Sequence, residues 1–242
     1  MNREYHCWYS SRLGRDMELL VFGHAGARVL VFPTRCGRFF DYENWGIANA
    51  MRQKVENGCL QLICVESLDA ESFYCDWCPP RDRITRHKQY EEYILNEVIP
   101  FSHAKNPNPA LIAHGCSMGA YHAVNIAFRH PQLFSRIVAF SGRYDLTSQI
   151  GSFRDLMDGY YDEDIYFNNP SHFVPNITDP ELISLIRRFE VTLVSGEADA
   201  FLENNMIFSG ALWEKGLQPQ FHVWEGEAHR ARYWREMVVH YL

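Results

Sequence analysis

Two kinds of apolar pattern alternate along the chain. Short, largely apolar runs recur at residues 28–32, 60–65, 110–113, 136–140, 191–194 and 221–224, with Val29-Leu30-Val31-Phe32 wholly so. Runs this short with no polar alternation predict strands buried on both faces. Between them lie stretches with apolar residues at helical spacing. After the run at 110–113, Ala120, Ala123, Val124, Ala127 and Phe128 fall at i, i+3, i+4, i+7 and i+8, one face of a helix. Residues 44–55, 86–99, 203–215 and 230–241 read as further helices. Their predicted stops are Asn57-Gly58, Pro100 and Gly216. Asp179-Pro180 reads as a helix start, with aspartate as cap and proline in the first turn. At the N-terminus, residues 5–13 and 17–22 read as two strands joined by a turn at Gly14, an antiparallel hairpin.

From residue 28 on, strand and helix take turns. That order predicts an α/β domain with a mostly parallel sheet covered on both sides. Nothing suggests a linker or a repeat, so residues 1–242 are expected to form one domain. Residues 142–179 lack a clear period and carry Tyr160, Tyr161, Tyr166, Phe167 and Phe173. They read as a cap-like insertion over one end of the sheet. The aromatics there suit packing, although an insertion at this point could also line an acyl or aryl pocket.

The strand at 110–113 runs into His114-Gly115-Cys116-Ser117-Met118-Gly119, a G-x-S-x-G between a strand and a helix. In serine hydrolases this pattern forms the nucleophile elbow, a strained turn that lifts the serine clear of the sheet. A serine in an ordinary glycine-rich turn is the bland alternative. A serine hydroxyl is a weak nucleophile, and it needs a histidine base oriented by a carboxylate. In α/β-hydrolases the three follow the order Ser, Asp or Glu, His. Asp199, just past the strand at 191–194, is the expected acid. Asp145 and Glu197 are its rivals, and the alternative for either aspartate is a turn or cap residue. His229, between the last strand and the closing helix, is the expected base. His240 lies inside that helix, and His114 reads as a hydrogen-bonded core histidine. For the oxyanion, Met118 N–H should supply one donor. The loop after the third strand should supply the other; Pro33 has no N–H, so it must come from Thr34 or Arg35, with Arg35 favoured.

Composition narrows the classes. A length of 242 residues suffices for a core that needs no metal or disulfide. A net charge of -7 argues against nucleic-acid binding. No run has the length of a membrane span, and the N-terminus lacks a signal-peptide pattern. Seven scattered cysteines fit free thiols in a reducing cytosol, so a cytoplasmic location is expected. Cys75 and Cys78 form an isolated C-x-x-C, a weak metal or redox signal. Arg81, Arg83, Arg86 and Lys88 read as a solvated face, or as an attractor of anionic substrate if the loop overhangs the site. Cys116 reads as a small buried filler. No cofactor or metal is implied.

The elbow, the stretch Val194-Ser195-Gly196-Glu197-Ala198-Asp199, and Gly226-Glu227-Ala228-His229 followed by Tyr233-Trp234-Arg235 together resemble the esterase D-like family of α/β-hydrolases, the "putative esterase" group. Glu97-Val98-Ile99-Pro100 also resembles the family's segment before the elbow strand. The group includes feruloyl esterases, S-formylglutathione hydrolases, enterochelin esterases and mycolyltransferases. The resemblance covers about residue 17 to the end and implies Ser117, Asp199 and His229 as a triad. Many members carry His-Gly or Asp-Gly where this chain has Pro33-Thr34. The expected activity is hydrolysis of a small-molecule carboxylic ester. Acyl transfer by the same triad, or ligand binding without catalysis on a hydrolase scaffold, are the alternatives.

Overall fold

In the computed structural model, which describes residues 1–242, the elements run in chain order as follows. Strands β1 (Arg3–Ser10), β2 (Arg15–Phe22) and β3 (Ala27–Phe32) come first. Three short helices follow, α1 (Asp41–Asn44), α2 (Ile47–Ala50) and α3 (Arg52–Glu56), and then β4 (Leu60–Val65). Next come α4 (Pro80–Tyr93), α5 (Ile99–Lys105), β5 (Leu111–Cys116), α6 (Met118–Arg129) and β6 (Arg136–Phe140). The rest is α7 (Glu163–Phe167), α8 (Pro170–Phe173), α9 (Pro180–Ile186), β7 (Glu190–Gly196), α10 (Leu202–Glu214), β8 (Gln220–Trp224) and α11 (Ala231–Tyr241).

The eight strands form one sheet in the order β1-β2-β4-β3-β5-β6-β7-β8. The hairpin β1–β2 and the β2–β4 pair are antiparallel, and every other pair is parallel. This is the α/β-hydrolase arrangement the sequence predicts. The inner strands are buried on both faces, and their apolar residues alternate between two cores. Leu30, Phe32, Ala113, Ala139 and Leu193 join the core under α4, α6 and α10. Val29, Val31, Ile112, Val138 and Val194 join the core under α1–α3 and α11. With both faces buried, these strands show no regular alternation of apolar and polar positions, and the few polar residues they carry, such as Gln61, His114 and Thr192, are themselves buried.

Strand order reverses at β3. The chain steps outward to β4, then returns to the far side of β3 with β5. Ligands in open α/β sheets bind beyond the carboxyl ends of strands at such a reversal. The loop after β3 and the elbow after β5 both leave the sheet there.

Several predicted boundaries move. The first strand ends at Ser10, because Gly14 (φ 68°) turns the chain and donates its N–H to the Ser10 carbonyl at 2.8 Å. The expected helix at 44–55 is three pieces, broken where Gly46 takes a left-handed φ of 73°. The expected stop at Pro100 is instead a continuation. A π-helical turn at Ile94–Val98 precedes it, and α5 runs on to Lys105. Such a turn frees the carbonyl that the proline ring would strike and removes the need for its missing N–H.

Residues 142–179 do not build a core of their own. Leu146, Leu156, Met157 and Ile165 pack with Phe73, Ile84, Met118 and Tyr121, beside the serine elbow. The Tyr121 hydroxyl donates to the Asn168 carbonyl at 2.7 Å and ties α6 to this segment. The named aromatics do not line the elbow's cleft. Tyr160, Tyr161 and Phe167 are exposed and Phe173 is in the main core.

Cys75 and Cys78 are joined as a disulfide, which corrects the expectation of free thiols at these two positions. The turn between them brings their Cα atoms to 5.3 Å, within disulfide range. Arg83 fixes that turn by donating Nε–H to both the Cys75 and Cys78 carbonyls at 2.8 and 2.9 Å. The basic cluster is likewise not one solvated face. Arg83 is buried, Arg86 pairs with Glu71, and Lys88 pairs with Asp164 at 2.6 Å. No helix is long and apolar enough to cross a membrane.

Candidate active site

Ser117 sits between β5 and α6 with φ 58° and ψ -121°, a conformation a non-glycine residue rarely takes. Holding it there costs about 1–3 kcal/mol and requires support from the fold. The support is visible. The Ser117 N–H donates to the Phe140 carbonyl at 2.8 Å. A Cβ at Gly115 would lie 2.3 Å from the Gly119 carbonyl carbon, and one at Gly119 would lie 2.2 Å from the Phe32 carbonyl oxygen. Both glycines are therefore demanded by contact, the first across the elbow and the second against β3. The Ser117 hydroxyl has no hydrogen-bond partner in the chain and faces the cleft.

Asp199 and His229 come from the loops after β7 and β8. These loops are pressed together. A Cβ at Gly196 would fall 2.2 Å from the Glu227 carbonyl oxygen, and Ala198 N–H donates to the Gly226 carbonyl at 3.0 Å. The result is a His229–Asp199 pair, with Nδ1 at 3.1 and 3.2 Å from the two carboxylate oxygens. The Asp199 side chain is 1% exposed. Burial alone would raise its pKa. The hydrogen bond from His229, the charge there and the Phe201 N–H at 3.0 Å outweigh burial and hold it below the ordinary value. An ionised carboxylate only accepts, so Nδ1 must carry the proton, which leaves Nε2 as the free base. The Phe201 and Trp234 rings flank the imidazole at 5.8 and 5.6 Å.

The rival acids have other partners. Glu197 accepts the Gly226 N–H at 3.1 Å. Asp145 accepts from Thr147, Ser148 and Asn169 and lies 3.4 Å from His172. Burial would raise the Asp145 carboxyl, but these bonds drive it far below its ordinary range. It caps its own turn, the alternative role open to it. His114 is the core histidine expected. It is bonded to the Val138 carbonyl at 2.7 Å and paired with the Tyr42 hydroxyl at 3.0 Å, and burial lowers its pKa to about 4. Cys116 is buried, and burial pushes its thiol well up.

Met118 opens α6, where N–H groups lack helical partners. Across the cleft, neither Thr34 nor Arg35 has an acceptor for its N–H. Cys36, next along, is held with φ 51°, and its N–H donates to Asp69 Oδ2 at 3.1 Å. The other oxygen of Asp69 meets His122 Nε2 of α6 at 2.8 Å. Asp69 is fully buried, so it ties the loop after β3 to the helix that carries the elbow. Sequence reasoning missed this pair. The signal available was His122 and Asn125, polar residues one turn apart in an otherwise apolar helix.

Ser117, Met118, Thr34, Arg35 and His229 line one cleft of about 310 Å³, with Tyr74, Arg143, Phe153, Phe201 and Trp234 completing its walls. The structure thus brings together every residue singled out for the site, with Asp199 directly behind His229. Tyr74, Arg143 and Phe153 come from loops whose folding has no local period to reveal it.

A strained serine, an imidazole backed by a carboxylate, and unengaged backbone N–H groups thus meet around one cleft at the carboxyl ends of the strands of an α/β-hydrolase sheet. The sequence matches the family described as "Putative esterase" over residues 11–239. The chain belongs to that family, and it is a carboxylic ester hydrolase. No curated protein sequence matches it. Among solved structures it is similar to a ferulic acid esterase (TM-score 0.77, 18% identity, covering 100% of this chain and 96% of that one). It is also similar to a fluorophosphonate-binding serine hydrolase of Staphylococcus aureus (0.76, 15%, 99% and 96%). An S-formylglutathione hydrolase of Agrobacterium tumefaciens matches at 0.72, 16%, 98% and 92%. At these identities the likeness is one of fold.

Proposed function

We propose that the chain hydrolyses small carboxylic esters through an acyl-enzyme on Ser117. His229 Nε2 takes the Ser117 proton as Oγ attacks the ester carbonyl. The oxyanion is met by the N–H groups of Met118 and Arg35. As the C–O bond breaks, His229 returns the proton to the leaving alcohol. Water, deprotonated by the same nitrogen, then attacks the acyl-enzyme, and the acid leaves as Ser117 regains its proton. Asp199 keeps the imidazole in the tautomer this requires and stabilises the imidazolium. Residues 1–242 act as one unit, with 142–179 forming a wall of the cleft rather than a separate domain.

The observation that carries this reading is the His229–Asp199 pair at 3.1 Å, facing the same cleft as a serine held at φ 58°. The test is labelling with a fluorophosphonate probe, together with hydrolysis of a short-chain ester. Wild type should label and turn over, and Ser117→Ala should do neither. Full activity in Ser117→Ala would refute the proposal.

A further inference from the structure

The cleft holds a charge that the hydrolysis of a neutral ester does not use. Arg143 follows β6 and is 3% exposed. Its Nε donates to the Asp145 carbonyl at 3.0 Å, and Nη2 donates to the carbonyls of Leu146, Ser148 and Arg154 at 3.3, 2.7 and 2.7 Å. Those bonds organise the start of the 142–179 segment. Nη1 receives neither a carbonyl nor a carboxylate. No acidic oxygen lies within salt-bridge range of this guanidinium. The other two buried arginines also leave one terminal nitrogen without a partner, Arg28 bonding through Nε and Nη1 to the Asn108 carbonyl and the Ser102 hydroxyl and Arg83 through Nε and Nη1 to three carbonyls and Asp158, but neither of them lines the cleft that holds Ser117 and His229. Burial lowers the pKa of Arg143, and the Tyr74 hydroxyl with the Asp145 and Asp155 carboxylates offsets part of that cost.

The surroundings fit an anion. No carboxylate lines the cleft, and Arg35 enters its wall from the other side, its guanidinium 5.6 Å from the Tyr74 ring centre. This cationic lining sits in a chain of net charge -7. Four carbonyls and the nearby charges of Asp145 and Asp155 already hold this cation in place. Tying the segment together needs only the bonds from Nε and Nη2, which leaves Nη1, the nitrogen without a partner, unexplained by that role.

We propose that Arg143 Nη1, with the Tyr74 hydroxyl beside it, forms an anion subsite in the cleft, and that the substrates are esters carrying a second, ionised carboxylate. Arg143 then acts as a specificity residue, matching a planar anion to a planar donor. The inference rests on the proposed function for the use of Ser117, but the subsite itself can be tested without turnover.

The first test compares matched esters on wild type: monoethyl glutarate against ethyl valerate for a carboxylate on the acyl side, and acetylated hydroxypropanoate against propyl acetate for the alcohol side. A charged hydrogen bond made in a buried site should favour one anionic member by about 10- to 100-fold in kcat/KM. In Arg143→Met the ratio within that pair should fall towards one. Because a ratio is read, any general loss of activity from loosening the segment cancels. The second test is calorimetric titration of glutarate into Ser117→Ala, expected to show binding that Tyr74→Phe weakens and added chloride screens. Equal kcat/KM within both pairs, together with no glutarate binding, would overturn the subsite while leaving the esterase reading standing. Glutarate binding with no turnover of any ester and no probe labelling would instead support the subsite and sink the catalytic reading.

Discussion

Adding one methyl group at Gly119 tests the geometry of the elbow most sharply. A Cβ there would lie 2.2 Å from the Phe32 carbonyl oxygen, 2.6 Å from that of Pro33 and 2.9 Å from the Phe32 carbonyl carbon. All three are backbone atoms, so no side chain can swing away. Bringing the closest contact to a tolerable separation requires the end of β3 and the start of α6 to part by about 0.8 Å, the kind of overpacking that costs about 1–3 kcal/mol. The displaced backbone leads within two residues to Thr34 and Arg35, the proposed oxyanion donors. Misplacement on this scale costs roughly 10²-fold in rate, similar to losing one donor. Gly119→Ala should therefore lower kcat for a short-chain ester about 100-fold and lower Tm by several degrees. Gly210→Ala is the internal control. It lies on the exposed face of α10 with nothing within 4 Å of the new Cβ, so it should gain about 0.5–1 kcal/mol of stability and keep wild-type kcat. Steady-state kinetics and a thermal melt on both variants suffice. A Gly119→Ala enzyme with wild-type kcat and Tm would show that β3 does not brace the elbow.

The other expectations are briefer. Asp199→Asn removes the carboxylate that holds the His229 tautomer and should cost about 10²- to 10⁴-fold in kcat. Asp145→Asn should leave kcat within a few-fold while lowering Tm, and the reverse outcome would move the acid role to Asp145. Glu91 is held down to about 2: burial raises it, but His130 and the fork of Arg129 more than offset that. A depressed folded value stabilises above the unfolded value and is lost as pH falls through the folded one. Glu91→Gln should therefore cost at most about 3 kcal/mol at pH 7 and flatten the loss of stability between about pH 5 and pH 2 in denaturant titrations. Burial lowers the pKa of His87 to about 3 and of His114 to about 4. Both stay neutral when folded and take protons when unfolded, so stability should already decline below about pH 6.5, and a flat profile down to pH 5 would contradict their burial.

How much of this was legible depended on the range of the forces involved. The strands at 60–65 and 136–140 match their predicted bounds, because a run buried on both faces is a purely local signal. The order and placement of Ser117, Asp199 and His229 were readable because each follows a strand end, and strand ends are easy to find. The partner that selects among acids was not local. Asp145 and Asp199 look alike in sequence, and only the folded chain shows one bound within its own turn and the other behind an imidazole. Helix α4 hid its extent because a π turn let the helix pass Pro100. The Cys75–Cys78 link, Asp69 with His122, and the free arm of Arg143 all lie in or against stretches without periodicity. There, contacts between loops decide the conformation, and no spacing rule encodes them.

Asp69 has a consequence for how this enzyme can diversify. It pins the turn after β3 to α6, and α6 begins one residue after the serine. The proposed nucleophile and oxyanion donors thus share a single frame, pinned at a residue closed to solvent. Drift in residues 142–179, which bring Arg143 and Phe153 to the cleft, can redraw what enters it without disturbing that frame. The reaction is inherited from the core, while the choice of guest is left to the periphery.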